Sequence, residues 1–247
     1  MEQAARAVAE KAETFQRDLL AIVGHDLRNC LSVILTASEM NRIHSHEDKV
    51  RQRAERVVSS ARRMREIING IVDYTYAQRD GLPVSMKEGA DFHAACEQVL
   101  QEFRLLHPER QLVYDANGSP LGTWDASRLE QVLQNLVGNA LKYGRPDSPV
   151  SVRWYREGDH PQGDLVLTVH NEGAPIPDDL LPHVFEPYRS GQGSPDTTSS
   201  MGLGLFIVRE IVRAHGGEVS VESDAARGTT FTVRLPAGPL VVQSPHS

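Results

Sequence analysis

Asn135-Leu136-Val137-Gly138-Asn139-Ala140-Leu141-Lys142-Tyr143 is the stretch that decides how the second half of the chain folds. Extended back to Ser127, it puts Leu129, Val132, Leu133, Leu136, Val137 and Ala140 on one side of a helix, at steps of three and four residues. Gln131, Asn135, Asn139 and Lys142 fall on the opposite side, because such steps return to nearly the same angle. One face is core and the other is a polar row. A solvated helix face is the plain alternative for such a row. Two carboxamides one turn apart, followed by a lysine, also offer a carbonyl oxygen to Mg2+ and an ammonium to phosphate.

Three further stretches lie downstream or upstream of this helix. Met201-Gly202-Leu203-Gly204-Leu205 opens an apolar helix, and glycines there let a phosphate approach unpaired backbone N–H groups. The preceding run from Ser190 to Ser200 is polar and glycine-rich, and reads as a lid over a nucleotide or as a linker. Asn171-Glu172-Gly173-Ala174-Pro175-Ile176-Pro177 follows a strand and turns at glycine and proline. In the first helix, His25-Asp26-Leu27-Arg28-Asn29 interrupts an apolar background. An imidazole with a pKa of about 6.5 is a competent nucleophile toward phosphorus near neutral pH. Asp26 can hold the proton on its far nitrogen. Arg28 and Asn29 share its helix face and can contact phosphoryl oxygens or an attacking water. An exposed histidine in a charged patch is the alternative.

The N-terminal portion has a different rhythm. From Glu2 to Gln78 there is no proline, and Ala5, Val8, Ala12, Phe15, Leu19 and Ile22 recur at alternating threes and fours. So do Val50, Ala54, Val57, Ala61, Met64, Ile68 and Ile71. A 3.5-residue repeat is the seam of helices packed nearly parallel. Asn41 to Glu47 is a polar turn, which makes the region an antiparallel hairpin. A second copy covering the exposed seam gives a dimeric four-helix bundle.

Composition narrows the function. The chain has 247 residues, 40% of them hydrophobic, and a net charge of -7 from 26 basic and 33 acidic side chains. No broad basic field exists to gather nucleic acid. Cys30 and Cys96 are its only cysteines, and they read as packing residues of a reducing, cytoplasmic compartment. The longest apolar run, Leu19 to Val23, falls far short of the roughly 20 residues that span a bilayer.

After the break at Gln78 to Pro83, helices are expected at 91–106, 127–143 and 202–215. Strands are expected at 112–114, 150–154, 165–170, 218–222 and 229–235. That mixture makes an α+β sandwich, a mixed sheet with helices on one face. The expected divisions are 1–80, 84–236 and a disordered tail at 237–247.

Together and in this order, the motifs resemble the sensor histidine kinases of two-component systems, whose phosphotransfer hairpin precedes a Bergerat-type ATP-binding domain. The resemblance covers about residues 10 to 236. His25 to Asn29 looks like the H box, Asn135 to Tyr143 the N box, and Asn171 to Pro177 the first glycine box. Phe185-Glu186-Pro187-Tyr188 looks like the F box, and Gly202-Leu203-Gly204-Leu205 the second glycine box.

The resemblance implies ATP and Mg2+, with His25 as phosphoacceptor and Asp26 as its base, beside which Arg28, by its place on the helix face, can steady phosphoryl charge. Asn29 would help dephosphorylate the partner. It implies Asn139 as the Mg2+ ligand, with Asn135, Lys142 and Tyr143 around the nucleotide. Asn171 and Gly173 would lie at the base, and Gly202, Leu203, Gly204 and Leu205 at the phosphates. The implied partners are a second copy, a response-regulator receiver domain, and an upstream sensor domain or protein feeding the coiled coil.

Three positions depart from the family pattern. Asn171 stands where most members have an aspartate. A carboxamide still pairs with adenine but lacks the charge, so ATP affinity is expected to fall by roughly tenfold or less. Pro175 replaces a glycine, a version similar to kinases attached to bacterial phytochromes. Cys30 replaces the usual helix-bending proline. Two competing functions are a scaffold dimer with a lapsed nucleotide site, and an ATPase or serine kinase that does not use His25.

Overall fold

The computed structural model describes residues 27, 29, 30, 32–34, 36, 47–79, 81–157, 163–189 and 202–236. The chain divides into two compact units, residues 1–72 and 73–247. In the first, Leu27, Asn29, Cys30, Ser32, Val33, Ile34 and Thr36 are helical, and Cys30 is buried. Helix α1 (Glu47–Arg79) begins this unit's second helical stretch and runs on into the second unit. Its buried row passes through Ile67 and Gly70, while Ile68 (49% exposed) and Val72 (46%) face outward. The seam expected through Ile68 is therefore one of two adjacent apolar rows. A helix in a bundle faces more than one neighbour, and its apolar side widens accordingly. The expected N-terminal coil and the rest of the turn before Glu47 lie outside the described residues, as does the tail from 237.

The second unit contains β1 (Lys87–Asp91), α2 (Phe92–Leu106), β2 (Leu112–Asn117), β3 (Leu121–Trp124) and α3 (Ala126–Tyr143). There follow β4 (Val150–Arg156), β5 (Leu165–Asn171), α4 (Gly204–Ala214), β6 (Glu218–Asp224) and β7 (Gly228–Leu235). Five strands form one sheet in the order β2-β4-β5-β7-β6. The β2–β4 pair is parallel and the other three are antiparallel. β5 sits in the middle, and Leu165, Val166, Leu167 and Val169 are all buried, as a strand paired on both sides and packed against helices requires. Against this sheet pack Leu133, Leu136 and Val137 of α3 and Val208, Ile211 and Val212 of α4, each fully buried. The mixed sheet with helices is the expected Bergerat architecture.

Two strands were not anticipated. β1 and β3 pair as a separate antiparallel sheet, with Ala90 opposite Gly122. Lys87-Glu-Gly-Ala-Asp91 has no β-branched or aromatic residue, and its strand form is imposed by the neighbour. Trp124, 1% exposed, anchors that neighbour edge-on to Phe92 at 5.8 Å. Helix boundaries also shift for identifiable reasons. Asp91 caps α2 from outside, accepting from Ala94 N. α4 starts at Gly204 because Gly202 sits at φ +67°, a left-handed turn that no helix continues. No helix among the described residues is long and apolar enough to cross a membrane.

β6 is an outer strand of the five, reading Glu218-Val-Ser-Val-Glu-Ser-Asp224, with Glu218 and Glu222 exposed.

Candidate functional site

Helix α3 carries the polar row, and both its ends are tied down. At its start Asp125 is the N-cap: Oδ1 accepts from Arg128 N at 3.2 Å and Ser127 Oγ at 2.7 Å, and Oδ2 accepts from Ser85 N at 2.8 Å. Burial pushes this carboxyl up, but the three hydrogen bonds outweigh it and hold it below the usual carboxylate range. The backbone N–H of Asp125 donates to His215 Nε2 at 3.1 Å. A backbone nitrogen can only donate, so Nε2 is the acceptor and Nδ1 carries the hydrogen it gives to Ile211 O at 2.8 Å. The end of α4 is thereby fixed to the start of α3. At the other end, Arg110 donates to Leu141 O at 2.8 Å, satisfying a carbonyl of the last turn, and to Arg145 O just beyond the helix at 3.1 Å.

Within the row the four polar residues are not equivalent. Gln131 is engaged: its Nε2 donates to Asp73 Oδ2 at 2.7 Å and its Oε1 accepts from Arg128 Nη1 at 2.9 Å. Arg128 also pairs with Asp73 at 2.8 Å, and Asp73 is 4% exposed. Asn135 donates to Gln131 O at 3.0 Å, and a Cβ on Gly204 would approach its Oδ1 to 2.8 Å, so the second glycine box abuts the N box directly. Asn139, half-buried, makes no side-chain hydrogen bond among the described residues. Lys142 and Tyr143 are exposed, with the ammonium 4.7 Å from the ring centre.

The first glycine box meets the end of the same helix. Gly144 bridges to Gly173, Arg145 N donates to Glu172 O at 2.7 Å, and a Cβ at Gly173 would lie 2.5 Å from Tyr143 O. Asn171, last residue of β5, is 5% exposed beside them. Around the segment between 189 and 202, Tyr188 N donates to Gly202 O at 3.1 Å. Tyr188 takes φ 62°, a left-handed backbone rare for a non-glycine residue and held here by its surroundings. The Tyr74 ring lies 5.7 Å from that of Tyr188 and 5.3 Å from that of Phe206. Burial, and next the neighbouring Tyr74, push the Tyr188 phenol up. Among the described residues no side chain caps α4, whose first-turn N–H groups are therefore open to an anion there.

The geometry has counterparts among known proteins. Residues 124–239 match the family described as "Histidine kinase-, DNA gyrase B-, and HSP90-like ATPase", and residues 15–79 match "His Kinase A (phospho-acceptor) domain". The chain belongs to the two-component sensor histidine kinases. Sensor protein SrrB of Staphylococcus aureus is 27% identical over 229 residues, 91% of this chain and 38% of SrrB. The chain thus spans under half the length of the curated relative it matches. The solved histidine kinase AdeS of Acinetobacter baumannii aligns with a TM-score of 0.62 at 21% identity, over 87% of this chain and 98% of AdeS. Full-length ShkA, solved in complex with AMPPNP, aligns at 0.63 and 19% identity, over 89% of this chain and 45% of ShkA.

In this histidine kinase, Asn135, Gly204 and Leu203 come together, as do Tyr143, Gly173 and Asn171. Leu203 is buried and Leu205 half-buried. Of the H box, Asn29 is helical and exposed, whereas His25, Asp26 and Arg28 lie outside the described residues. Cys96 is fully buried and its thiol is pushed up to about 12, chiefly by burial, as befits a packing residue. Sequence reasoning missed Asp73, Asp125, Arg128 and His215. Asp125-Ala126-Ser127 before an apolar run was a readable N-cap signal. The Asp73–Arg128 pair, 55 residues apart, had no local signal.

Proposed function

We propose that this chain is the phosphotransfer and ATP-binding portion of a histidine kinase that moves the γ-phosphoryl group of ATP to His25. The group then passes to an aspartate of a response-regulator receiver domain. The observation that carries this reading is the convergence of three motifs on one helix: Gly204 against Asn135, and Gly173 with Asn171 against the turn after Tyr143. The AMPPNP complex of ShkA, a fold relative, supports a nucleotide there.

The residues divide the work. Asn171 and Gly173 meet the base, Asn135, Lys142 and Tyr143 flank the nucleotide, and Gly202, Leu203, Gly204 and Leu205 bring open N–H groups of α4 to the phosphates. Asn139, a half-buried amide oxygen with no side-chain bond to the described protein, fits a hard cation. Mg2+ bound there supplies charge neutralisation on the phosphate oxygens. The imidazole of His25 attacks the γ-phosphorus in line, the bond to the ADP oxygen breaks, and Asp26 holds the proton of the far ring nitrogen. Arg28 steadies the phosphoryl charge. In the reverse task Asn29 orients a water against the phosphorylated regulator. Most of the catalysis is positioning and charge stabilisation.

The chain acts as a homodimer fed by an upstream sensor. Ile68, Val72 and Tyr76, spaced by four on α1 and 46–49% exposed, form the apolar stripe that a second copy covers. The test is incubation of the chain with Mg2+ and γ-labelled ATP. Acid-labile label is expected, lost in His25→Gln and in Asn139→Ala. Acid-stable label, or label that survives His25→Gln, would overturn the reading.

A further inference from the structure

Asn171 ends the middle strand of the sheet, and its backbone is held by pairing with Val150 on one side and Thr229 on the other. Glycines leave its side chain room: a Cβ at Gly144 would lie 3.2 Å from Asn171 Cβ, and one at Gly173 would lie 3.4 Å from its Nδ2. The direction of the side chain is therefore set while its carboxamide stays unclaimed. Its one hydrogen bond among the described residues runs from Nδ2 to Glu172 O at 3.4 Å, too long to fix an orientation. Gln131 is the contrast, because Asp73 and Arg128 assign its nitrogen and its oxygen separately. Nothing comparable assigns the two ends of the Asn171 amide. A half-turn about its Cβ–Cγ bond exchanges donor and acceptor.

We propose that Asn171 makes the base pocket ambivalent between 6-aminopurine and 6-oxopurine nucleotides, so that inosine triphosphate serves as a phosphoryl donor beside ATP. This rests on the reading of Asn171 as the residue that meets the base. Adenine presents a donor at N6 and an acceptor at N1. An amide with Oδ1 toward N6 and Nδ2 toward N1 satisfies both. Hypoxanthine presents an acceptor at O6 and a donor at N1, and the same amide turned over satisfies both again.

A carboxylate at this position has two acceptors and no donor. Aimed at position 6, it accepts from the adenine amino group but sets acceptor against acceptor at O6 of an oxopurine, whose N1–H it reaches only by turning away from that position. A carboxylate aimed at position 6 thus disfavours 6-oxopurines, and an unlocked carboxamide removes that mismatch. Guanine adds an amino group beside N1 that needs space hypoxanthine does not, so the expected order is ATP and ITP close together, then GTP.

The test compares autophosphorylation of the whole chain with γ-labelled ATP, ITP and GTP in Mg2+, read as kcat/KM. ITP is expected within about tenfold of ATP. Asn171→Asp should raise use of ATP and lower that of ITP, widening the ratio by about tenfold or more. Asn171→Ala, which has neither donor nor acceptor, should lower both alike. A hundredfold preference for ATP in the natural chain overturns the inference, as does a ratio unmoved by Asn171→Asp or an Ala variant that spares ITP. ATP labelling without ITP labelling overturns this inference alone. Failure of ATP to label His25 overturns the proposed function and this inference with it.

Discussion

Asp125 does two jobs with one side chain, capping α3 and receiving the chain at Ser85, and its acidity records both. Its carboxyl is held below the ordinary range in the folded protein, whereas in the unfolded chain it titrates at about 3.9. The folded state therefore favours the ionised form. The resulting stability is fully present above about pH 4 and is lost as the pH falls through the lower, folded value. Asn caps a helix about as well as Asp but does not titrate. Asp125→Asn is accordingly expected to flatten the acid limb of thermal stability below about pH 4. Scans of melting temperature against pH would read it, and an unchanged slope would show that the cap carries no charge effect. At this scale helical spacing put Asn135 and Asn139 on one face and composition put Gly204 at a helix start, each a local property, while only the family resemblance joined them. It did not reveal that Gln131 is held by Asp73, since a contact across 58 residues leaves no mark on spacing.

Among the elements, the last turns of α1 are the ones whose role the periodicity misjudged. From Asp73 to Arg79 the helix belongs to the second unit, and two consecutive residues reach two parts of it. Asp73 holds the first turn of α3 through Arg128 and Gln131, and Tyr74 packs against Tyr188 and Phe206 on either side of the 190–201 segment. A heptad reading sees an apolar seam ending at Ile71 and nothing to dock the rest. Removing one member of a buried charge pair costs about 3–5 kcal/mol. Arg128 keeps 21% of its side chain in water, so about 2 kcal/mol is the better figure for Asp73→Ala. The expected readout is faster amide hydrogen exchange across residues Asp73 to Arg79, with the core strand β5 unchanged. Equal protection in the variant would mean that contacts other than Asp73, Tyr74 among them, hold the helix end. β1 escaped the sequence for the opposite reason, because its strand form comes from β3, which Trp124 anchors, rather than from its own propensity.

On the scale of the whole molecule, the order of elements was readable because α3, β5 and α4 are long, strongly patterned and buried. The sheet order was not, since β7 pairs with distant β5 as well as with its hairpin neighbour β6, and no local pattern encodes the first of these. That order leaves β6 as an outer strand with an unpaired ladder of N–H and C=O groups among the described residues. Open ladders of this kind template strand addition by other chains. The exposed Glu218 and Glu222 put like charges where two such strands would meet, and two molecules approaching edge to edge repel before they can pair. Replacing both with valine would remove those charges and leave Ser220 as the one polar residue from 218 to 222. Light scattering during storage at raised concentration should then rise steeply for Glu218→Val/Glu222→Val. The two acids so far assigned no part in chemistry would prove to be what keeps the kinase from forming fibres.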